Sequence, residues 1–144
     1  MNGTETRPSK WRSVWAVVAG LIVIVVLSMG MDAIMRVTGV FPPYGQAMSD
    51  GLFAWATIYR VISSIIGCYI TARLAPSRPI THALYLGVLG VLISAVATVA
   101  TWNKGPAFGP HWYPIALVLV SIPCAWIGGK IYQKVQLKTT SWRP

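Results

Sequence analysis

Charge is what this chain lacks most: 10% of its 144 residues are charged and 55% are hydrophobic, whereas soluble domains carry about 25% charged residues. That deficit excludes an ordinary soluble domain. Acids are scarcest, with Glu5, Asp32 and Asp50 the full set, and paired-carboxylate chemistry is nearly excluded with them. Cys68 and Cys124 form no CxxC pair, and no cluster of His, Cys and carboxylate has metal-ligand spacing. No glycine loop ends in the lysine that cradles phosphate. The sequence therefore predicts a protein that is not an enzyme and that holds neither metal nor cofactor.

What the chain has in place of charge is length of apolar sequence. Four runs, about 13–35, 52–74, 80–102 and 112–132, match the roughly 20 helical residues needed to cross the hydrocarbon core. The expected fold class is all-α: a polytopic membrane protein with four transmembrane helices in one bundle, 13–132, flanked by cytoplasmic tails 1–12 and 133–144. The first run is too long for the h-region of a signal peptide, about 7 to 15 residues, so it is expected to stay. Ala75 and Pro76 close the second helix, because proline cannot continue the ladder. Ser49 or Asp50 is placed to cap its start.

Lysine and arginine set the orientation, since short loops rich in them resist translocation. Arg7, Lys10 and Arg12 precede the first run, Arg73 and Arg78 lie between the second and third, and Lys130, Lys134, Lys138 and Arg143 end the chain. The other two loops hold only Arg36 and Lys104. Both termini and the central loop are thus expected in the cytoplasm. The formal charge of +9 is dispersed beside helix ends, where topology and anionic head groups account for it. No nucleic-acid module accompanies it, and the lipid bilayer is the expected partner. Aromatic residues cluster at the two boundaries, Trp11, Trp15 and Tyr132 at one and Phe53, Trp55, Trp102, Trp112 and Tyr113 at the other, as interfacial belts do.

Inside lipid, helices associate by close backbone approach, so small residues mark contacts. Ser64, Cys68 and Ala72 form one stripe beside Gly67, Ser121, Ala125 and Gly129 another beside Gly128, and Ala83 and Gly87 a third beside Gly90. A homo-oligomer interface or a membrane-protein partner would read the same way. The cysteines are expected to pack as small apolar side chains. Pro123 should kink the fourth helix and free the carbonyl of Leu119, for which Ser121 or a neighbouring helix could supply a donor. A two-helix parallel repeat is also suggested: one shift sets Ala16 on Ala83 and Gly20 on Gly87, and after a gap Ser64 falls on Ser121 and Arg73 on Lys130. Chance alignment of Val, Leu, Ile, Ala and Gly explains the match equally well.

Arg60 falls near mid-membrane, where an arginine costs at least about 2.5 to 3.5 kcal/mol and calls for an interior partner. Asp32 is the one acid within a span, and Tyr59, Ser63 and Ser64 flank Arg60 with Thr57 nearby. Either Asp32 and Arg60 form an ion pair that fixes packing, or the stripe lines a polar site for an anion, a proton or a head group. The outer loops, with Phe41, Tyr44, His111 and Trp112, are rich in Pro, Gly and aromatics and form either a docking surface or tight interfacial turns. His82 lies across the membrane from His111, so the two cannot share a metal.

At GVFPPYG (Gly39 to Gly45), ARLAP (Ala72 to Pro76), ATWNKGPAFGPHWYP (Ala100 to Pro114) and AWIGGK (Ala125 to Lys130), the chain resembles small four-helix bacterial inner-membrane proteins without an assigned activity. The resemblance implies a bacterial inner membrane and carries over no site. The early-helix glutamate of small multidrug exporters and the dithiol motifs of quinone-linked thiol oxidases are both missing. Two functions follow from the residues: a structural or accessory bundle held by Asp32 and Arg60, or a small transporter or channel that uses them in a polar path. Water at Arg60 separates the two.

Overall fold

A computed structural model describes residues 9–142, and the described residues are helical, without a strand. The terminal stretches 1–8 and 143–144, which include Arg7 and Arg143, lie outside the described residues. Four long helices follow one another: α1 (Lys10–Val37), α2 (Asp50–Leu74), α3 (Pro79–Thr101) and α4 (Trp112–Ser141). Each is long and apolar enough to cross a membrane, and together they pack as a bundle. The chain is a membrane protein by these criteria.

Apolar length sets the helices, and local chemistry sets their ends. After α1, Thr38 N–H donates to Ile34 O and Gly39 N–H to Arg36 O, with Gly39 at φ 77°, a left-handed turn that glycine adopts without a Cβ penalty. Ser49 occupies the N-cap position of α2, but its side chain makes no cap bond there. Its backbone carbonyl instead accepts from Leu52 and Phe53. Pro79 opens α3, where its missing N–H has no partner to lose. Hydropathy predicts a fourth span that ends at Tyr132, followed by a tail. Instead α4 continues to Ser141, about 45 Å at 1.5 Å per residue, beyond a hydrocarbon core of about 30 Å. Hydropathy ends at the membrane surface, whereas Gln, Lys and Leu sustain a helix in water.

α2 is the hub. It packs on α1, on α4 and less extensively on α3; α3 and α4 form a close pair, and α1 and α3 touch only over a short stretch. The half of the bundle nearer the chain termini, called here the terminal end, is closed by small residues. Cys68, Ala72, Ala83, Leu86 and Ala125 form its buried core. Gly20 and Gly67 bring α1 and α2 backbone to backbone: a Cβ built on either would lie 2.7 Å from the other's carbonyl oxygen. Gly128 seats α4 on Cys68 of α2 in the same way, and Gly87 seats α3 on Ala125. Gly129 faces Ile80 and Ala83, and a Cβ added at Gly90 would be in ordinary contact with Ser121 at 3.5 Å.

The suggested repeat has a counterpart in this packing with an offset. Both hairpins close on a glycine of their first helix, but Gly20 meets Gly67 and Thr71 whereas Gly87 meets Ser121 and Ala125, the positions aligned with Ser64 and Cys68. α4 runs unbroken through Pro123. Ser121 does not serve Leu119: its hydroxyl donates to Leu117 O at 2.7 Å, one turn back on its own helix, the bond serine makes most readily there.

The opposite half, the loop end, is built from large side chains. Phe41, Ala56 and Tyr59 form a second buried cluster with Met31, Met35, Met48, Leu52 and Tyr113 around it. The α3–α4 loop, with a single 3-10 turn at Pro106–Phe108, shares a cavity with this cluster through Ala107 and Phe108. Phe53 packs against Gly109 and lies tilted at 55° against Tyr113, with ring centroids 5.0 Å apart. Bulk rather than close backbone approach holds this end, and cavities remain between the large groups.

Candidate intramembrane binding site

Asp32 and Arg60 meet. Arg60 Nη2 donates to Asp32 Oδ2 at 2.7 Å, and Tyr59 Oη donates to Asp32 Oδ1, so both carboxylate oxygens are engaged from α2. The side chains are nevertheless 33% (Arg60) and 21% (Asp32) exposed. The pair lines a cavity of about 430 Å³ that opens at the loop end between the tops of α1 and α2 and the two loops. A partly exposed pair of this kind contributes on the order of 1 kcal/mol to holding α1 on α2.

Arg36, one turn beyond Asp32 on α1, faces the same cavity. Its Nη1 donates to Pro42 O at 2.5 Å, and its guanidinium lies 3.8 Å from the centre of the Tyr44 ring. The α1–α2 loop is thereby folded back over the vestibule. Two guanidiniums face one carboxylate, so the vestibule has an unbalanced positive charge. Arg36 Nε and Arg60 Nε are both buried, and neither has an acceptor among the described residues. An arginine presents five donors; the Nε groups are enclosed, and an incoming oxyanion meets the exposed guanidinium end of Arg60. Tyr113 and Gln46 add side-chain donors to the wall, whereas the one Tyr59 hydroxyl hydrogen is already given to Asp32.

Of the residues singled out in sequence, Asp32, Arg60, Tyr59, Phe41 and Tyr44 come together here. Ser63 does not take part: it is buried, and its hydroxyl donates to Tyr59 O on its own helix at 2.8 Å. Thr57 is bound to Phe53 O in the same way. Ser64 faces a different cavity, deeper in the bundle. His111 stacks on Trp102 with centroids 4.3 Å apart, and its Nε2 lies 3.2 Å from Trp102 O, in a separate surface depression. Trp112 packs beside Tyr113 and is not part of the vestibule wall.

Sequence reasoning assigned no site role to Arg36, Tyr113, Gln46 and Phe53. Arg36 had a usable signal, since residues four apart share a helix face and Asp32 was already a candidate. Tyr113 carried none, because a tyrosine at a span boundary reads first as an interfacial anchor. The cysteines are free and buried in the terminal half, away from the vestibule. Among the described residues, no three His, Cys, Asp or Glu side chains gather as a metal site would require.

The chain matches no protein-family model, no curated protein and no solved structure at a significant level.

Proposed function

We propose that this membrane protein binds the anionic group of a small solute in the Arg60–Asp32 vestibule and acts as a small transporter, described here open toward the loop end. One observation carries the reading: the mid-membrane arginine and its partner form a wall of an open cavity with excess positive charge, rather than a dry contact. An ionisable group at that depth costs too much to keep without a use, and transport paths are where such groups recur. Binding rather than catalysis is favoured by the wall itself, in which the one carboxylate is engaged by Tyr59 and Arg60 and no histidine or cysteine takes part.

The distribution of Lys and Arg supports a topology with termini in the cytoplasm and the vestibule on the outer side of a bacterial inner membrane. Closure at the terminal end by Gly20, Gly67 and Gly128 fits an outward-facing state. The test is uptake of carboxylates and phosphate esters into proteoliposomes, comparing the native chain with Arg60→Gln. Uptake or saturable binding that Arg60→Gln abolishes while the helices stay folded supports the proposal. Native protein that neither binds nor moves any anion defeats it.

A purely structural role is the second reading, and one observation favours it: Asp32, Tyr59 and Arg60 join α1 to α2 at the end where glycine packing is missing. In that case, replacing Asp32 and Arg60 together by leucine preserves both the fold and whatever the protein does in the cell.

A further inference from the structure

We infer that the solute is an anionic amphiphile taken from the loop-side leaflet, its head group held at Arg60 and its hydrocarbon chain lying in a cleft between α1 and α3. This rests on the proposed role of the vestibule and names the class of molecule that the rest of the cavity system fits.

Arg60 lines two cavities. One is the polar vestibule toward the loops, and the other is a cleft of about 350 Å³ running from Arg60 toward the middle of the bundle. The second is bounded by α1 from Leu21 to Met29 and by α3 from Leu86 to Ser94, with α2 and α4 behind. Eight helical steps on each side give it a length of about 12 Å along the bundle axis. Its wall is aliphatic apart from Arg60 and three serines. Its base is sealed where Gly20, Thr71 and Leu86 close on one another. Its long side is open, because α1 and α3 touch only briefly, and Val25, Met29 and Ile93 on its rim are exposed on the outer surface of the bundle.

A hydrophilic anion has no use for such a space, and an apolar cleft of this size holds water poorly. A hydrocarbon chain fits it, and the order of surfaces along the axis is that of a lipid: charged donors nearer the loops, aliphatic wall deeper in the bundle. An amphiphile of the loop-side leaflet would enter sideways through the open flank, its head group drawn from the interface down to Arg60. The charge selects an acidic head group, since Arg36 and Arg60 outnumber Asp32. A phosphate or carboxylate oxygen bound at the exposed part of the Arg60 guanidinium would lie where the two cavities meet.

The experiment uses the full chain in nanodiscs of equal phosphatidylglycerol and phosphatidylcholine with matched chains, followed by mild extraction and native mass spectrometry. Inorganic phosphate binding is measured in parallel by equilibrium dialysis. Retention of the anionic lipid over the zwitterionic one by roughly tenfold or more is expected, the factor that charge-assisted hydrogen bonds provide. Gly90→Leu tests the cleft, since an added Cβ meets nothing nearer than 3.5 Å and the side chain occupies the space. It should remove lipid retention and leave phosphate binding unchanged, whereas Arg60→Gln should weaken both. Should Gly90→Leu fail to fold, Ile93→Trp at the rim provides the same block. Equal retention of the two lipids, or retention undiminished in the blocked variants, overturns the inference. Phosphate bound with no lipid preference overturns it while leaving the vestibule reading intact; loss of both kinds of binding in the native chain overturns the two together.

Discussion

Substituting Gly20 by alanine should cost the bundle about 3 kcal/mol, the upper end of the range for overpacking. The added Cβ overlaps Thr71 Oγ1 outright and falls 2.7 Å from Gly67 O and 2.8 Å from Leu86 Cδ2, where relaxed contacts lie at about 3.5 to 4.0 Å. Leu86 can rotate, but a backbone carbonyl cannot, and Thr71 is β-branched and fully buried. α1 and α2 must therefore move apart by on the order of 1 Å and lose the contacts that close the terminal end. Gly90→Ala is the control: its Cβ finds only Ser121, at 3.5 and 3.7 Å, and its cost should stay within about 0.5 kcal/mol. Adding Thr71→Ala to Gly20→Ala should recover only part of the loss, because Gly67 O remains in the way. Titration with sodium dodecyl sulfate in mild detergent, followed by circular dichroism, compares the three variants with the native protein; about 3 kcal/mol displaces the equilibrium somewhat more than a hundredfold. Equal stability of the Gly20 and Gly90 variants would refute the close approach of α1 and α2 and, with it, the sealed base of the cleft.

Asp32→Asn leaves Arg60 charged without its partner and should destabilise the bundle by about 1 to 2 kcal/mol, less than the 3 to 5 of a fully buried pair because the groups are partly exposed; a double-mutant cycle with Arg60→Gln in the same detergent titration gives the coupling. Cys68 and Cys124 are 3% and 2% exposed, so a membrane-permeant maleimide should modify neither in the folded protein and both after denaturation, as read by intact mass. Phe53→Ala removes the ring that seats Gly109 and Tyr113 and should cost about 3 kcal/mol, with the α3–α4 loop becoming sensitive to protease added from the loop side.

Much of the fold is written in the length of four apolar runs, because a segment that must satisfy its own backbone in lipid has the helix as its simple solution. The Asp32–Arg60 contact could be read for a related reason: a lone arginine at that depth demands a partner, and the chain offers one acid within a span. Depth along a helix is legible in this way, but facing is not. Ser63 and Ser64 are adjacent and look equivalent in sequence, yet Ser63 bonds back to Tyr59 while Ser64 lines the cleft. The cleft itself could not be foreseen, since it arises where α1 and α3 diverge, and divergence depends on which small residues meet which. Gly20 reads in sequence as part of a repeat, while Gly90 both approaches Ser121 of α4 and lines the cleft.

Pro123 stands between two different parts of α4. On one side Tyr113 forms a wall of the vestibule; on the other Gly128 and Gly129 are locked against α2 and α3. A proline removes a backbone bond that would otherwise resist bending, so the helix has a joint between the segment lining the vestibule and the segment anchoring the scaffold. Bending of α4 can be confined to the upper arm of that joint, and the seam below it need not be remade.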